Sequence, residues 1–338
     1  MTNEQQILNE REYRGTMTRI GGALLIFLGL ISVAQTIYLE LDTLLLEILT
    51  PKTAYLVSNL LYGAMYLASF MVPVAFFVRF SKGKRREPMR LSLKLTPDTP
   101  FLIFGSIGII LAAAFVNSLA MQPLLPPDFD YSEITLPTDY SENYKVVVQL
   151  ILTALVPGVC EEFLFRGMVL SSLMPYGKTG AIVVSSLFFG LMHQNPFQMF
   201  YATVAGVVLA LLYIYTGSIW CSTLVHVCNN AFGVFESALS ERLPEEYSFV
   251  IMFLDMAVFL LAAVSVTVLL VNRKKRFSKP IDFSEGVFEK TLPEAEGYAR
   301  VPVPSERKMK LFFTPTVIIF LVLTAGSIAL TLFMVMMS

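Results

Sequence analysis

Charged residues are scarce in this 338-residue chain: Asp, Glu, Lys and Arg together make up 15% of it, against roughly a quarter in an average soluble domain. Histidine and cysteine are rarer still, with two and three copies. All three cysteines lie inside apolar segments, which argues against a disulfide framework. The net charge of −1 shows no basic excess, so nucleic acid is not an expected partner.

Long apolar segments dominate instead, and 55% of the residues are hydrophobic, with a mean hydropathy of +0.65. A membrane-spanning helix needs about 20 apolar residues. The sequence therefore predicts an all-α, polytopic transmembrane helical bundle with about eight to nine spanning helices. Nine segments qualify: 20–39, 54–79, 101–121, 146–173, 180–197, 199–215, 219–236, 249–271 and 311–336.

The loop charges alternate in sign along the chain. Lys and Arg cluster at 79–94 and 273–279, whereas the loops at 40–47, 128–142 and 241–246 are acidic. Because basic loops remain on the cytoplasmic side, nine spans place the N-terminus in the cytoplasm. We expect an integral protein in the lipid bilayer of a bacterial plasma membrane.

The same pattern divides the chain into five predicted parts. They are a cytoplasmic tail (1–19), N-terminal transmembrane helices (20–121), a membrane core (146–271), a cytoplasmic charged loop (272–310) and an appended transmembrane helix (311–338).

Three ionisable residues lie together in the fourth apolar segment, where charge is costly and indicates function. Glu162 and Arg166 are four residues apart and face the same side of a helix, while Glu161 is turned about 100° away. We interpret Glu162–Arg166 as a structural pair and Glu161 as the carboxylate free for chemistry. The alternative is a purely structural network that holds helices together.

The two histidines lie in later apolar segments, and each belongs to a short pattern. His193 ends the stretch Phe189-Gly-Leu-Met-His193, and His226 is followed four residues later by Asn230. Two imidazoles and a carboxylate can bind zinc, through Glu161, His193 and His226. They can equally act as a general base with oxyanion-stabilising partners, to which the Asn230 amide would belong.

The predicted depths of these residues disagree. Counting 1.5 Å per residue from the segment ends places Glu161 and His226 about 10 Å from the cytoplasmic face, and His193 about 20 Å. A shared site requires all three residues to lie at a similar depth, so the predicted helix boundaries between 180 and 236 are in question.

The three patterns Glu161-Glu162-x-x-x-Arg166, Phe189-x-x-x-His193 and His226-x-x-x-Asn230 resemble, in order, the motifs of the CPBP family of intramembrane proteases. That family includes the eukaryotic CAAX prenyl endopeptidase and bacterial proteins of bacteriocin processing and self-immunity. The resemblance implies that Glu161 activates water, that His193 and His226 complete the site and that Asn230 stabilises the oxyanion. Both a zinc-dependent and a metal-free glutamate mechanism stay open.

The resemblance implies endoproteolysis of a membrane-embedded or lipidated, CAAX-like protein or peptide precursor. Two other functions use the same polar residues. One is a non-catalytic membrane scaffold or immunity protein, and the other is a proton-coupled transporter with Glu161 and the histidines as a relay.

Overall fold

The computed structural model describes residues 3–81, 89–91, 97–126, 138–276 and 303–337. Within these ranges the chain is helical and contains no strand, so the predicted all-α, polytopic fold is confirmed. We number ten helices: α1 Asn3–Ile48, α2 Pro51–Phe80, α3 Thr99–Met121, α4 Asn143–Tyr176, α5 Lys178–Leu191, α6 Pro196–Thr216, α7 Ile219–Arg242, α8 Phe249–Arg276, α9 Ser305–Phe312 and α10 Pro315–Met337. Two 3-10 turns, Gln122–Leu124 and Glu245–Tyr247, follow α3 and precede α8.

Seven of the helices in the described ranges are long and apolar enough to cross a membrane: α1, α2, α3, α4, α6, α8 and α10. The count is below the eight to nine predicted because α5 and α7 do not qualify. With 14 residues, α5 is about 21 Å long, less than the roughly 30 Å of a bilayer core. Helix α7 has 24 residues, but it carries His226, two asparagines and a polar C-terminal end, and it is not among the spans that qualify.

Two predicted segments outside the core differ from the structure in extent. Helix α1 begins at Asn3, so residues 3–19, predicted as a tail, continue the first spanning helix. Within the predicted loop 272–310, α8 runs to Arg276 and α9 forms a short helix, while residues 277–302 lie outside the described ranges.

Helix α4 is irregular where it carries the acidic residues. The α-helical stretch Val156–Glu162 is flanked by two π-helical stretches, Leu150–Leu155 and Phe163–Leu170. Such wider turns occur mostly as short interruptions at functional sites. Pro157 adds to the irregularity because it has no N–H to donate to the carbonyl of Thr153, four residues earlier. The backbone of α4 therefore needs partners from other helices.

A single large hydrophobic core joins α1, α4, α5, α6 and the start of α10. Helix α1 packs along α2 and α10, and α3 packs against α6 and α8. Helices α5 and α6 form a hairpin whose tip is the turn at 192–195. These contacts enclose the middle of α4 between α2 on one side and α7 on the other.

Candidate active site

Glu161 lies between the two π-helical stretches of α4 and is only 5% exposed. The Tyr66 hydroxyl of α2 donates a hydrogen bond of 2.9 Å to its Oε1. Its Oε2 lies 3.7 Å from Nε2 of His226, which is longer than a direct hydrogen bond. Oε2 accepts no hydrogen bond from any described residue. One carboxylate oxygen is thus held in place, and the other is free to act on a substrate or water.

Glu162 and Arg166 form the buried pair that their spacing predicts. An Nη atom of Arg166 lies 2.7 Å from Oε1 of Glu162, and the other Nη donates to the Gly206 carbonyl of α6 at 3.1 Å. The same Glu162 oxygen lies 3.1 Å from Nδ1 of His226. The pair therefore also orients a histidine, a role that helix spacing alone did not indicate.

His226 lies between the two glutamates. Because a carboxylate can only accept, the Nδ1 edge of the ring carries the proton that Glu162 accepts. This leaves Nε2 directed toward Glu161. A carboxylate that fixes the tautomer and orientation of a functional imidazole is a common arrangement.

His193 lies two residues beyond the end of α5, in the tip of the α5–α6 hairpin. Its Nδ1 is 2.9 Å from the Phe189 carbonyl, an acceptor, so Nδ1 carries a proton and Nε2 is left for the cavity. The tight turn continues through Gln194, which has a positive φ of 54°. Asn195 then caps α6 by accepting from the Phe197 N–H at 2.9 Å.

Phe189 occupies the centre of the site. Its ring meets those of His193 and His226 edge-on, with centroids 5.3 and 5.6 Å away. The Arg166 guanidinium lies 4.7 Å from the same ring centroid. Phe189 thus packs against both histidines and the buried cation.

Asn230 donates from its side-chain amide to the Thr153 carbonyl at 3.3 Å. This is the carbonyl to which Pro157 cannot donate, so the asparagine satisfies an irregular turn of α4 from α7. The neighbouring Asn229 donates to Oδ1 of Asn230 at 3.4 Å, and its own Oδ1 is unpaired among the described residues. Both amides line the cavities of the site.

Two adjoining cavities bring these residues together, one of about 550 Å³ and one of about 50 Å³. Glu161, His193 and Asn230 line both, and His226 lines the smaller. All four predicted catalytic residues therefore share one site. Sequence reasoning missed Tyr66 and also Tyr201, which lines both cavities, because neither belongs to a recognisable pattern.

The disagreement in depth between Glu161 and His193 is absent from the structure. In the structure α4 continues to Tyr176 and α5 starts at Lys178, so Glu161 and His193 are each 15 residues from that corner, or roughly 20 Å. His226 is only seven residues into α7, but the start of α7 is recessed. Residues 89–91 cover it: Ile219 N–H donates to the Arg90 carbonyl at 2.9 Å.

The residues do not form a ready metal site. His226 directs Nδ1 to Glu162, and Nδ1 of His193 is bonded to a backbone carbonyl. In the described ranges, no group of three or more His, Cys, Asp or Glu side chains is placed to hold a metal ion. The predicted zinc ligands Glu161, His193 and His226 thus do not fit zinc as they are arranged, and no step below uses a metal.

Comparison with known proteins agrees with the predicted resemblance. Residues 143–232 match a family model described as type II CAAX prenyl endopeptidase Rce1-like. The putative membrane peptidase YdiL of Bacillus subtilis (strain 168) is 32% identical over 92 residues, covering 26% of this chain and 37% of the relative. The match thus spans little more than a third of that relative. No solved structure gives a significant match.

The matched segment runs from the start of α4 into α7 and contains Glu161, His193, His226 and Asn230. It leaves out α1–α3 and α8–α10, so Tyr66 comes from outside it. With seven apolar helices, the chain is an integral membrane protein. The chain is thus similar over 143–232 to the Rce1-like type II CAAX prenyl endopeptidase family, and over 92 residues to part of a bacterial putative membrane peptidase.

Proposed function

We propose that this protein is an intramembrane endopeptidase that hydrolyses a peptide bond in a membrane-embedded protein or peptide precursor. The observation that carries the proposal is the free Oε2 of Glu161, which faces Nε2 of His226 across 3.7 Å inside a cavity. A carboxylate and an imidazole nitrogen at this separation can both contact one water molecule. That arrangement suits general-base catalysis.

The reaction begins when Glu161 takes a proton from water while Nε2 of His226 accepts the second O–H. The water oxygen then forms a bond to the carbonyl carbon of the substrate. Glu161 delivers its proton to the amide nitrogen as the C–N bond breaks, which leaves a carboxylic acid and a free amine. Glu162 acts in this scheme as a positioning residue for His226.

The developing oxyanion needs donors at the cavity wall. The Asn230 amide has two N–H groups, one of which donates to Thr153, so the other serves the oxyanion. His193 adds a second donor through Nε2 when its ring is protonated. Tyr66 positions the base through its hydrogen bond to Oε1 of Glu161.

For the orientation, we propose that the N-terminus lies in the cytoplasm and that the protein resides in a bacterial plasma membrane. The basic segments 79–94 and 273–279 then face the cytoplasm, as the positive-inside rule requires. Its partners are the lipid bilayer and the peptide substrate.

The test compares membrane and secreted peptides from cells that carry the wild-type protein, Glu161→Gln or Glu236→Gln. Glu236 is a partly buried glutamate of α7 that lines neither cavity, so it is a matched control. We expect Glu161→Gln to accumulate a precursor and to lose its fragments, while Glu236→Gln behaves like wild type.

A non-catalytic scaffold or immunity protein makes the opposite prediction. If Glu161→Gln and His226→Ala both leave the peptide pattern unchanged while the proteins are present at wild-type levels, the endopeptidase assignment is wrong.

A further inference from the structure

The larger cavity extends well beyond the residues of the proposed reaction. One wall comes from α4, α6 and α7 of the family-matched segment. The other wall comes from α1 and α2, which lie outside it, through Gln35, Tyr38, Asn59, Tyr62 and Tyr66. The N-terminal helices therefore form part of the cavity in which a substrate would bind, and they lie outside the matched segment 143–232.

The chemistry of this cavity is polar but almost uncharged. Among the described residues that line it, Glu161 is the only one with an acidic or basic side chain, apart from His193. The same described lining includes five tyrosines and seven side-chain amides, and its apolar side chains are Leu152, Pro157 and Val234. The volume of about 550 Å³ is within the usual range for ligand sites, roughly 300–1,000 Å³.

The tyrosine rings make part of this lining apolar, but its many hydroxyl and amide groups suit a peptide backbone better than a lipid chain. A prenyl or acyl chain would cover hydroxyl and amide groups without pairing them, which costs free energy for each group. An extended peptide instead offers one N–H and one C=O per residue. The hydroxyl of Tyr62 has no hydrogen-bond partner among the described residues, so it can bind such a group.

The rim of the cavity lies at the end of the bundle that carries the acidic loops. Thr138 and Ser237 are exposed at this rim, and Tyr140 holds it together by donating its N–H to Glu241 at 3.0 Å. Glu241 and Arg242 end α7 here, and Arg242 donates to the Tyr140 carbonyl at 2.5 Å. Ser305 of α9 instead follows the basic segment 273–279.

We propose that the cavity binds an extended, unlipidated peptide segment that enters from the side of the acidic loops, which is the extracytoplasmic side. This inference rests on the proposed function and orientation. It adds to them the substrate class, the side of entry and a binding wall made by α1 and α2.

The side of entry is tested by labelling Ser237→Cys and Ser305→Cys in intact cells with a membrane-impermeant maleimide. Both positions are exposed, and the wild-type chain measures the background from Cys160, Cys221 and Cys228. We expect labelling of Ser237→Cys alone. Labelling of Ser305→Cys alone, or of neither variant until the cells are opened, overturns the inference.

The substrate class is tested on the peptides that disappear in Glu161→Gln cells. We expect them to carry no prenyl or acyl mass and to appear outside the cell. Tyr62→Phe should reduce their formation about threefold to tenfold through one lost hydrogen bond, whereas Tyr247→Phe, exposed and outside the cavity, should not.

The outcomes separate the two proposals. If Glu161-dependent peptides exist but are lipidated, or if Tyr62→Phe and Tyr247→Phe behave alike, the cavity inference fails and the endopeptidase proposal survives. If no peptide depends on Glu161, the endopeptidase proposal itself fails.

Discussion

Arg166 offers the sharpest test of how the site is held together. Its side chain is 2% exposed and that of Glu162 is 0% exposed, with 2.7 Å between Nη and Oε1. Substitution of Arg166 by Met keeps most of the apolar stem and removes the cation. The Glu162 carboxylate would then be buried without a cation beside it, with Nδ1 of His226 at 3.1 Å and the Ser222 side chain as its hydrogen-bond partners.

The expected loss of stability follows from the burial of both charged side chains. Removing one partner of a buried ion pair leaves an uncompensated charge and costs about 3–5 kcal/mol. This would lower the ratio of folded to unfolded protein roughly 100- to 4,000-fold. The double variant Glu162→Gln/Arg166→Met removes both charges and should recover a substantial part of the loss, because a neutral amide still accepts from His226.

The assay is an unfolding titration of the purified protein in mixed detergent micelles. Trp220 is the only tryptophan and serves as a fluorescent reporter, since its Nε1 donates to the Leu91 carbonyl at 2.8 Å at the start of α7. The matched control is Arg14→Met on the exposed side of α1, where the change should stay within about 0.5 kcal/mol. If Arg166→Met is as stable as Arg14→Met, the reasoning about this pair is refuted.

Two further predictions concern the environment of the base. Tyr66→Phe removes the hydroxyl that holds Oε1 of Glu161. Because a hydrogen bond to a charged group is worth about 1.5–3 kcal/mol, we expect product formation to fall roughly tenfold or more at unchanged protein level. An unchanged rate would contradict the positioning role of Tyr66. Gly158→Ala would place a Cβ 2.5 Å from a methyl carbon and 3.1 Å from the backbone nitrogen of Val227, which forces α4 away from α7 beside His226. We expect this variant to lose activity and stability, whereas Gly180→Ala, with no atom within 4 Å of the new Cβ, should retain both.

Much of the fold was predictable because helices that cross a membrane require long apolar segments. Long apolar segments indicated an all-helical bundle, and the i, i+4 spacing indicated the Glu162–Arg166 pair, since both depend only on local geometry. The span count was less predictable. The 14 residues of α5 end in a turn inside the protein, and a polar turn of this kind reads in the sequence like a loop at the membrane surface.

The candidate site, like the fold, could be predicted from the sequence only in part. The sequence by itself determined the helical class and the residue types of the three motifs, because the apolar length of a segment and its side-chain spacing are local properties. Only the tertiary structure decided that Tyr66, 95 residues before Glu161, holds the base, and that Glu162 orients His226 from 64 residues away. It also brought His193 to the level of Glu161. These contacts depend on how helices pack and where they end, and packing is set by many side chains at once rather than by any short pattern.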